Sequence, residues 1–179
     1  MTGFTGFHAG RREREHQDLH AAHAELWRVQ SAEFAHRTQG AFGAAPDWRR
    51  GLRALGWEAC RYLQEDPERA CLLVALTYAD EIVAAGRDHL MDEYVEILHR
   101  GRFERPEAAD VPRFRAEAIV GAVWETLASR VTAGAFHELP HGVPQLLYLA
   151  VLPYLGPEAA EEELRRGRED LERYRRGLL

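Results

Sequence analysis

Lysine is missing from this 179-residue chain: all 23 basic residues are arginine. The phosphate loop G-x-x-x-x-G-K-[ST] is therefore excluded, because it needs a lysine to reach the phosphates. Arginines spread along solvated helix faces need no ligand, and their exclusive use fits genomic base composition better than a specific chemistry. Cysteine is nearly absent as well. Cys60 and Cys71 make neither a disulfide framework nor a metal motif, which fits a reducing compartment, and each reads as a small buried apolar residue. Long apolar runs are lacking too. Residues 1 to 20 are polar, and no uninterrupted run approaches the roughly 20 residues that span a bilayer. The expectation is a soluble, cytoplasmic protein with no membrane partner.

Positive charge is not in excess. The net charge is −6, and residues 1 to 60 carry 8 arginines against 7 acids, so no basic cluster marks a nucleic-acid footprint. Nucleophile signatures are absent: there is no G-x-S-x-G, and Ser31 and Ser129 have no histidine and carboxylate in a telling arrangement. The sequence thus offers no catalytic residue and no cofactor. Strand alternation and internal repeats do not occur either, which leaves an all-α fold of about seven helices.

What the chain does have is grease in one place. With 46% hydrophobic residues, it is long enough to bury one compact core. The stretch from Phe114 to Leu155 reads as two apolar helices, Phe114 to about Ala133 and Pro140 to Leu155, joined by the tight connection 134–139. In the first, Ala118, Gly121, Ala122, Glu125 and Ser129 recur at helical spacing beside Ile119, Val123, Leu127 and Val131. In the second, Val143, Leu147, Ala150, Val151 and Tyr154 lie on one side, while Leu146, Leu149 and Leu152 fill much of the rest. A helix apolar on nearly all sides must be covered on all sides. In so small a chain, a second copy is expected to supply part of that cover. Ala118, Gly121, Ala122, Glu125, Leu147, Val151 and Tyr154 are the candidate dimerisation residues.

Ahead of that pair, residues 1–16 read as a loose arm, leaving 17–179 as a single helical domain. From about Gln17 a long helix carries Leu19, Ala22, Leu26, Val29 and Phe34 at rough 3 and 4 spacing until Gly40. Pro46 and Asp47 suit the start of the next helix, whose stripe is Trp48, Leu52, Leu55, Ala59 and Leu63 with Trp57 and Cys60 beside it. Asp66-Pro67-Glu68 stops that helix and opens another: aspartate at the cap, proline in the first turn, glutamate behind it. A longer helix follows Asp80-Glu81, burying Ile82, Val83, Leu90, Met91, Tyr94, Val95 and Leu98, with Gly86 as a weak point. Gly156-Pro157 breaks the chain once more before a charged final helix carrying Leu164, Leu171 and Tyr174.

Two histidine patterns have the spelling of metal sites. His137-Glu-Leu-Pro-His141 matches H-E-x-x-H, whose mechanism needs both histidines on one face of a continuous helix. Pro140 falls between them and marks a helix start instead. His16, His20 and His23 stand at i, i+4 and i+7 and would align on a continuous helix, although an exposed histidine face is the plainer account. The metal assignment is therefore none. The middle helices are also rich in aromatic and polarizable side chains, among them Trp57, Cys60, Tyr62, Tyr78, Met91, Tyr94 and Trp124. Around a void, these would make a largely apolar small-molecule pocket with a few polar tips; without one, they would fill a plain helical core.

The segments Ala118-Ile-Val-Gly-Ala-Val-Trp-Glu-Thr-Leu127, Leu139-Pro140 and Gln145-Leu-Leu-Tyr-Leu-Ala-Val-Leu-Pro-Tyr-Leu-Gly156, followed by Glu158-Ala-Ala160, resemble the C-terminal regulatory domain of TetR/AcrR-family transcriptional repressors. Ala41-Phe-Gly-Ala-Ala-Pro-Asp-Trp-Arg-Arg50 and Glu65-Asp-Pro-Glu-Arg-Ala70 resemble earlier helix starts of the same domain. The resemblance covers roughly residues 18 to 175 and rests on order and spacing. It implies an all-helical homodimer whose two central helices form a four-helix bundle with their mates. It further implies a small hydrophobic effector held between the helices before that bundle, with Trp57, Cys60, Tyr78, Met91, Tyr94 and Trp124 as candidate ligand-binding positions. Members carry a helix-turn-helix ahead of the long connecting helix, and the residues before Gln17 are too few for it. DNA contact is therefore expected only through a helix-turn-helix not present in this chain. The alternative is a naturally headless module that binds small molecules or pairs with other regulators; an all-helical enzyme is more remote.

Overall fold

The computed structural model describes residues 5–79 and 81–178, with side chains at all of these except 5–17, 19, 75 and 79. Among the described residues six helical runs follow one another: α1 (Thr5–Gly43), α2 (Trp48–Glu65), α3 (Pro67–Ala79), α4 (Glu81–His99), α5 (Arg113–Thr132) and α6 (Leu139–Arg175). Short 3-10 turns lie at Arg100–Phe103, Pro106–Ala108 and Phe136–Glu138, and no strand occurs among the described residues. The class is all-helical, and no described helix is long and apolar enough to cross a membrane.

The helix starts follow local chemistry. Asp47 caps α2 by accepting a 2.8 Å hydrogen bond from the backbone N–H of Arg50. Asp66 does the same for Arg69 at 3.0 Å, with Pro67 opening α3 where its missing N–H goes unnoticed. At the far end of α5, Gly134 takes φ 69, a left-handed turn that most residues resist.

α1 is longer than expected, its backbone being helical from Thr5 rather than from about Gln17. Its inward face also differs. Trp27, Ser31, Phe34 and Thr38 are buried, whereas Leu26 and Val29 stay exposed. The Trp27 indole donates to the Leu73 carbonyl at 2.9 Å, which pins α1 across α3. The Trp48 indole likewise donates to the Ile97 carbonyl at 3.1 Å and ties α2 to α4. In α4, Ile82 is exposed instead of buried, and Ile97 takes a place in the core.

α6 is two arms rather than one rod. Gly156 has φ 80 and ψ 178, a conformation that breaks the helix and suits glycine. The second arm folds back so far that a Cβ on Gly167 would lie 2.9 Å from Pro144 Cα on the first. The separate last helix expected after Gly156-Pro157 is this second arm. Its Glu163 is fully buried between Arg49 and Arg53 of α2. Tyr174 near its end stacks on Trp57 at 5.2 Å and donates to Gln64 Oε1 at 2.6 Å.

The fold of the last helix corrects three dimerisation assignments. Leu147, Val151 and Tyr154 are buried within the protomer, not on its surface. Tyr154 packs edge-on against Trp48 with ring centroids 5.4 Å apart and meets His99 Nδ1 at 3.3 Å. A side chain enclosed by its own chain cannot also face a second copy.

Candidate functional site

Five of the helices leave a space between them. A partly open cavity of about 140 Å³ lies among α1, α2, α4, α5 and α6. Leu52, Leu55, Ala59 and Cys60 of α2 form one wall, and Met91, Tyr94 and Ile97 of α4 form the next. Ile119, Val120, Val123, Trp124 and Leu127 come from α5. The first arm of α6 adds Val143, Leu146, Leu147 and Ala150, and Phe34 of α1 closes the set. Fully enclosed, a void of this size would cost roughly 3 kcal/mol at about 24 cal/mol per Å³; being partly open to water, this one costs less. A chain that only needed a core would gain by filling it.

The wall has few polar atoms, and those it has are already engaged or shielded. The Tyr94 hydroxyl lies 2.6 Å from Thr38 Oγ1, and Thr38 Oγ1 lies 2.8 Å from the Phe34 carbonyl oxygen. A carbonyl only accepts, so the single Thr38 proton goes to Phe34 and Tyr94 donates to Thr38. Burial pushes the ionisation of Tyr94 well above the ordinary phenol range. It also pushes the Cys60 thiol up to about 12, so the group stays protonated and unreactive. The buried Trp124 indole N–H lies beside the Tyr78 hydroxyl without making a hydrogen bond of normal geometry.

Of the six candidate ligand positions, Cys60, Met91, Tyr94 and Trp124 line the cavity and two do not. Trp57 is turned toward Tyr174, where its ring is stacked and its indole N–H has no partner among the described residues. Tyr78 is largely exposed and donates to Glu125 Oε1 at 3.0 Å on the outer side of α5. The aliphatic liners Leu55, Ile97, Val120, Val143 and Ala150 and the hydroxyl partner Thr38 were not foreseen as site residues. No sequence signal separates a wall aliphatic from a core aliphatic; only the space beside it does.

No family model, curated protein or solved structure matches this chain. Its chemistry has to be read from its own geometry.

The outer side of α5 is open. Ala118, Gly121, Ala122 and Glu125 are exposed there, and nothing stands within 4 Å of where a Cβ on Gly121 would be. Phe114 at the start of α5 is 72% exposed, and Leu149 on α6 is 46% exposed. Gln145 and Leu149, not Leu147 and Val151, therefore form the outward face of α6.

The histidine patterns take ordinary places. His137 and Glu138 sit in a 3-10 turn, and His141 lies in the first turn of α6, where its Nε2 accepts a 3.0 Å hydrogen bond from Arg175. The start of α6 at Leu139 thus divides the H-E-x-x-H spelling. The His16 side chain lies outside the described residues, while His20 is exposed and His23 half-buried. Among the described residues no three of His, Cys, Asp and Glu are grouped to hold a metal.

Proposed function

We propose that this chain is the effector-sensing and dimerising part of a TetR-like transcriptional regulator. One observation carries the reading: α5 and α6 present an apolar cavity on their inner side and an uncovered face of small and apolar residues on their outer side. On this reading the effector is a small hydrophobic molecule in the cavity. The homodimer forms through Ala118, Gly121, Ala122 and Glu125 of α5, with Leu149 of α6 beside them. DNA contact belongs to a helix-turn-helix outside α1–α6, which themselves take no part in base reading. Support for the dimer comes from the open space above Gly121, where nothing of this chain lies within 4 Å of a Cβ, so that a second copy has room to approach.

Sedimentation equilibrium on the wild-type chain and on Gly121→Arg tests the reading. The wild type is expected at dimer mass. Gly121→Arg should run as a monomer with an unchanged helical circular dichroism spectrum, because the arginine fits an isolated protomer but blocks close approach of a second. A wild-type monomer, or a variant that remains dimeric, overturns the interface. Val151→Glu is unsuited to this test because it would bury a charge inside the protomer itself.

A further inference from the structure

The cavity says more than that its occupant is hydrophobic. We infer that its guest is an uncharged molecule of single-ring size that carries no hydrogen-bonding group and is held by shape and dispersion alone. The inference rests on the effector-sensing reading and names the chemical class that the site admits.

Three observations carry it. Size comes first: the free space is about 140 Å³. An engineered cavity of about 150 Å³ with leucine, isoleucine and phenylalanine walls stays dry and takes benzene. Charge comes second, because none of the lining residues is ionisable at neutral pH and an ion entering the space would lose its hydration without a counter-charge.

Hydrogen bonding comes third and decides the class. Tyr94 brings a hydroxyl to the wall, but its proton is committed to Thr38 at 2.6 Å, and Thr38 has no exposed surface. Trp124 contributes its ring, while its indole N–H lies beside the hydroxyl of Tyr78, which is not part of the wall. The Cys60 thiol is only a weak donor. A carboxylate would find no free donor unless it broke the Tyr94–Thr38 bond, and although the Tyr94 oxygen can still accept, almost no polar surface of the wall faces the space, so a guest hydroxyl would be left largely unpaired.

The test is isothermal titration of the full chain with toluene, phenol and benzoate, with sedimentation run in parallel. Toluene is expected to bind and to raise the melting temperature. Phenol should bind roughly tenfold more weakly or worse, and benzoate should give no heat. Ala59→Phe fills the space and should abolish toluene binding; Val123→Trp, at a half-buried wall position, does the same if Ala59→Phe fails to fold. Thr38→Val removes the acceptor of the Tyr94 proton and should shift preference toward phenol. Should Thr38→Val not fold, Thr38→Ala removes the same acceptor and should shift preference the same way.

Phenol or benzoate binding as tightly as toluene would overturn the inference, as would toluene heats that persist in both filled variants. A dimer that binds no toluene sinks the guest assignment alone. A monomer that binds toluene with the stated preference sinks the regulator reading and leaves the guest assignment standing.

Discussion

Glu163 Oε2 accepts a 2.7 Å hydrogen bond from Arg53 Nη1, across 110 positions of the chain, and has no exposed surface. Its other oxygen takes a 2.7 Å bond from Arg49 Nε. The pair of arginines lies on α2, one wall of the cavity, and the carboxylate lies on the second arm of α6. Removing the acid would leave the Arg49 guanidinium without its partner in a partly buried site and Arg53 with only Asp170, 4.0 Å away. Glu163→Ala should therefore lower the unfolding free energy by about 3 kcal/mol in urea titration. A loss below about 1 kcal/mol would place the cluster with ordinary surface pairs.

Gly86 lies inside α4, where alanine normally gains about 1 kcal/mol, and Gly40 lies in the last turn of α1, where the gain has the same sign. They should respond with opposite sign. A Cβ on Gly86 would lie 2.6 Å from Cζ3 of Trp27, whose ring is fixed by its bond to Leu73, whereas nothing stands within 4 Å of a Cβ on Gly40. Gly40→Ala should raise the melting temperature. Gly86→Ala should lower it through a net loss of about 1–2 kcal/mol, because overpacking exceeds the gain in helix propensity.

His99 gives the fold an acid sensitivity. It is buried, with Nδ1 3.3 Å from the Tyr154 hydroxyl and Nε2 3.4 Å from Arg102 Nη1. Burial first, and the Arg102 charge second, hold its pKa below the ordinary 6.5. The folded chain therefore binds this proton less tightly than the unfolded chain does. The contribution is fully present above about pH 6.5 and is lost as pH falls below it. Chemical denaturation between about pH 7 and 5 should show stability falling with pH, and His99→Gln should flatten that slope. Glu162, held down to about 2 by Arg165 and Arg166, titrates well outside the window.

Cys60 and Cys71 should differ toward thiol reagents. Cys60 is buried, with its thiol pushed up to about 12, while Cys71 is half-buried with its sulfur 3.9 Å from the Val131 carbonyl oxygen. Disulfide-exchange labelling at about pH 8 should modify Cys71 first in the native protein. Cys60 should react only on unfolding, and toluene should slow it further by stabilising the native state. Rapid native labelling of Cys60 would mean that the cavity wall opens often.

Local chemistry made the helix boundaries legible. Asp47, Asp66-Pro67, Gly134 and Gly156 each act on backbone groups within a turn of themselves, so their effect needs no tertiary partner. Four of the six candidate positions, Cys60, Met91, Tyr94 and Trp124, do line the cavity, since aromatic and polarizable residues on α2, α4 and α5 gather where those helices converge.

Facing was harder to read. On α1 the buried face includes Ser31 and Thr38, whose hydroxyls bond back to Arg28 and Phe34 carbonyls of the same helix and so can leave water at little cost. Hydrophobic spacing favoured Leu26 and Val29 instead, and both are exposed.

Composition and short-range caps alone determined an all-helical chain and the order of its helices, because those forces act between neighbours in sequence. Which side of α6 turns inward was decided only in three dimensions. Its first arm is apolar on nearly all sides, so spacing separates the side of Leu147 and Val151 from that of Leu149 without saying which turns inward; the choice falls to what folds over it. The turn at Gly156 lays the second arm back along the first, Tyr154 goes in beside Trp48 and His99, and Leu149 is left outside.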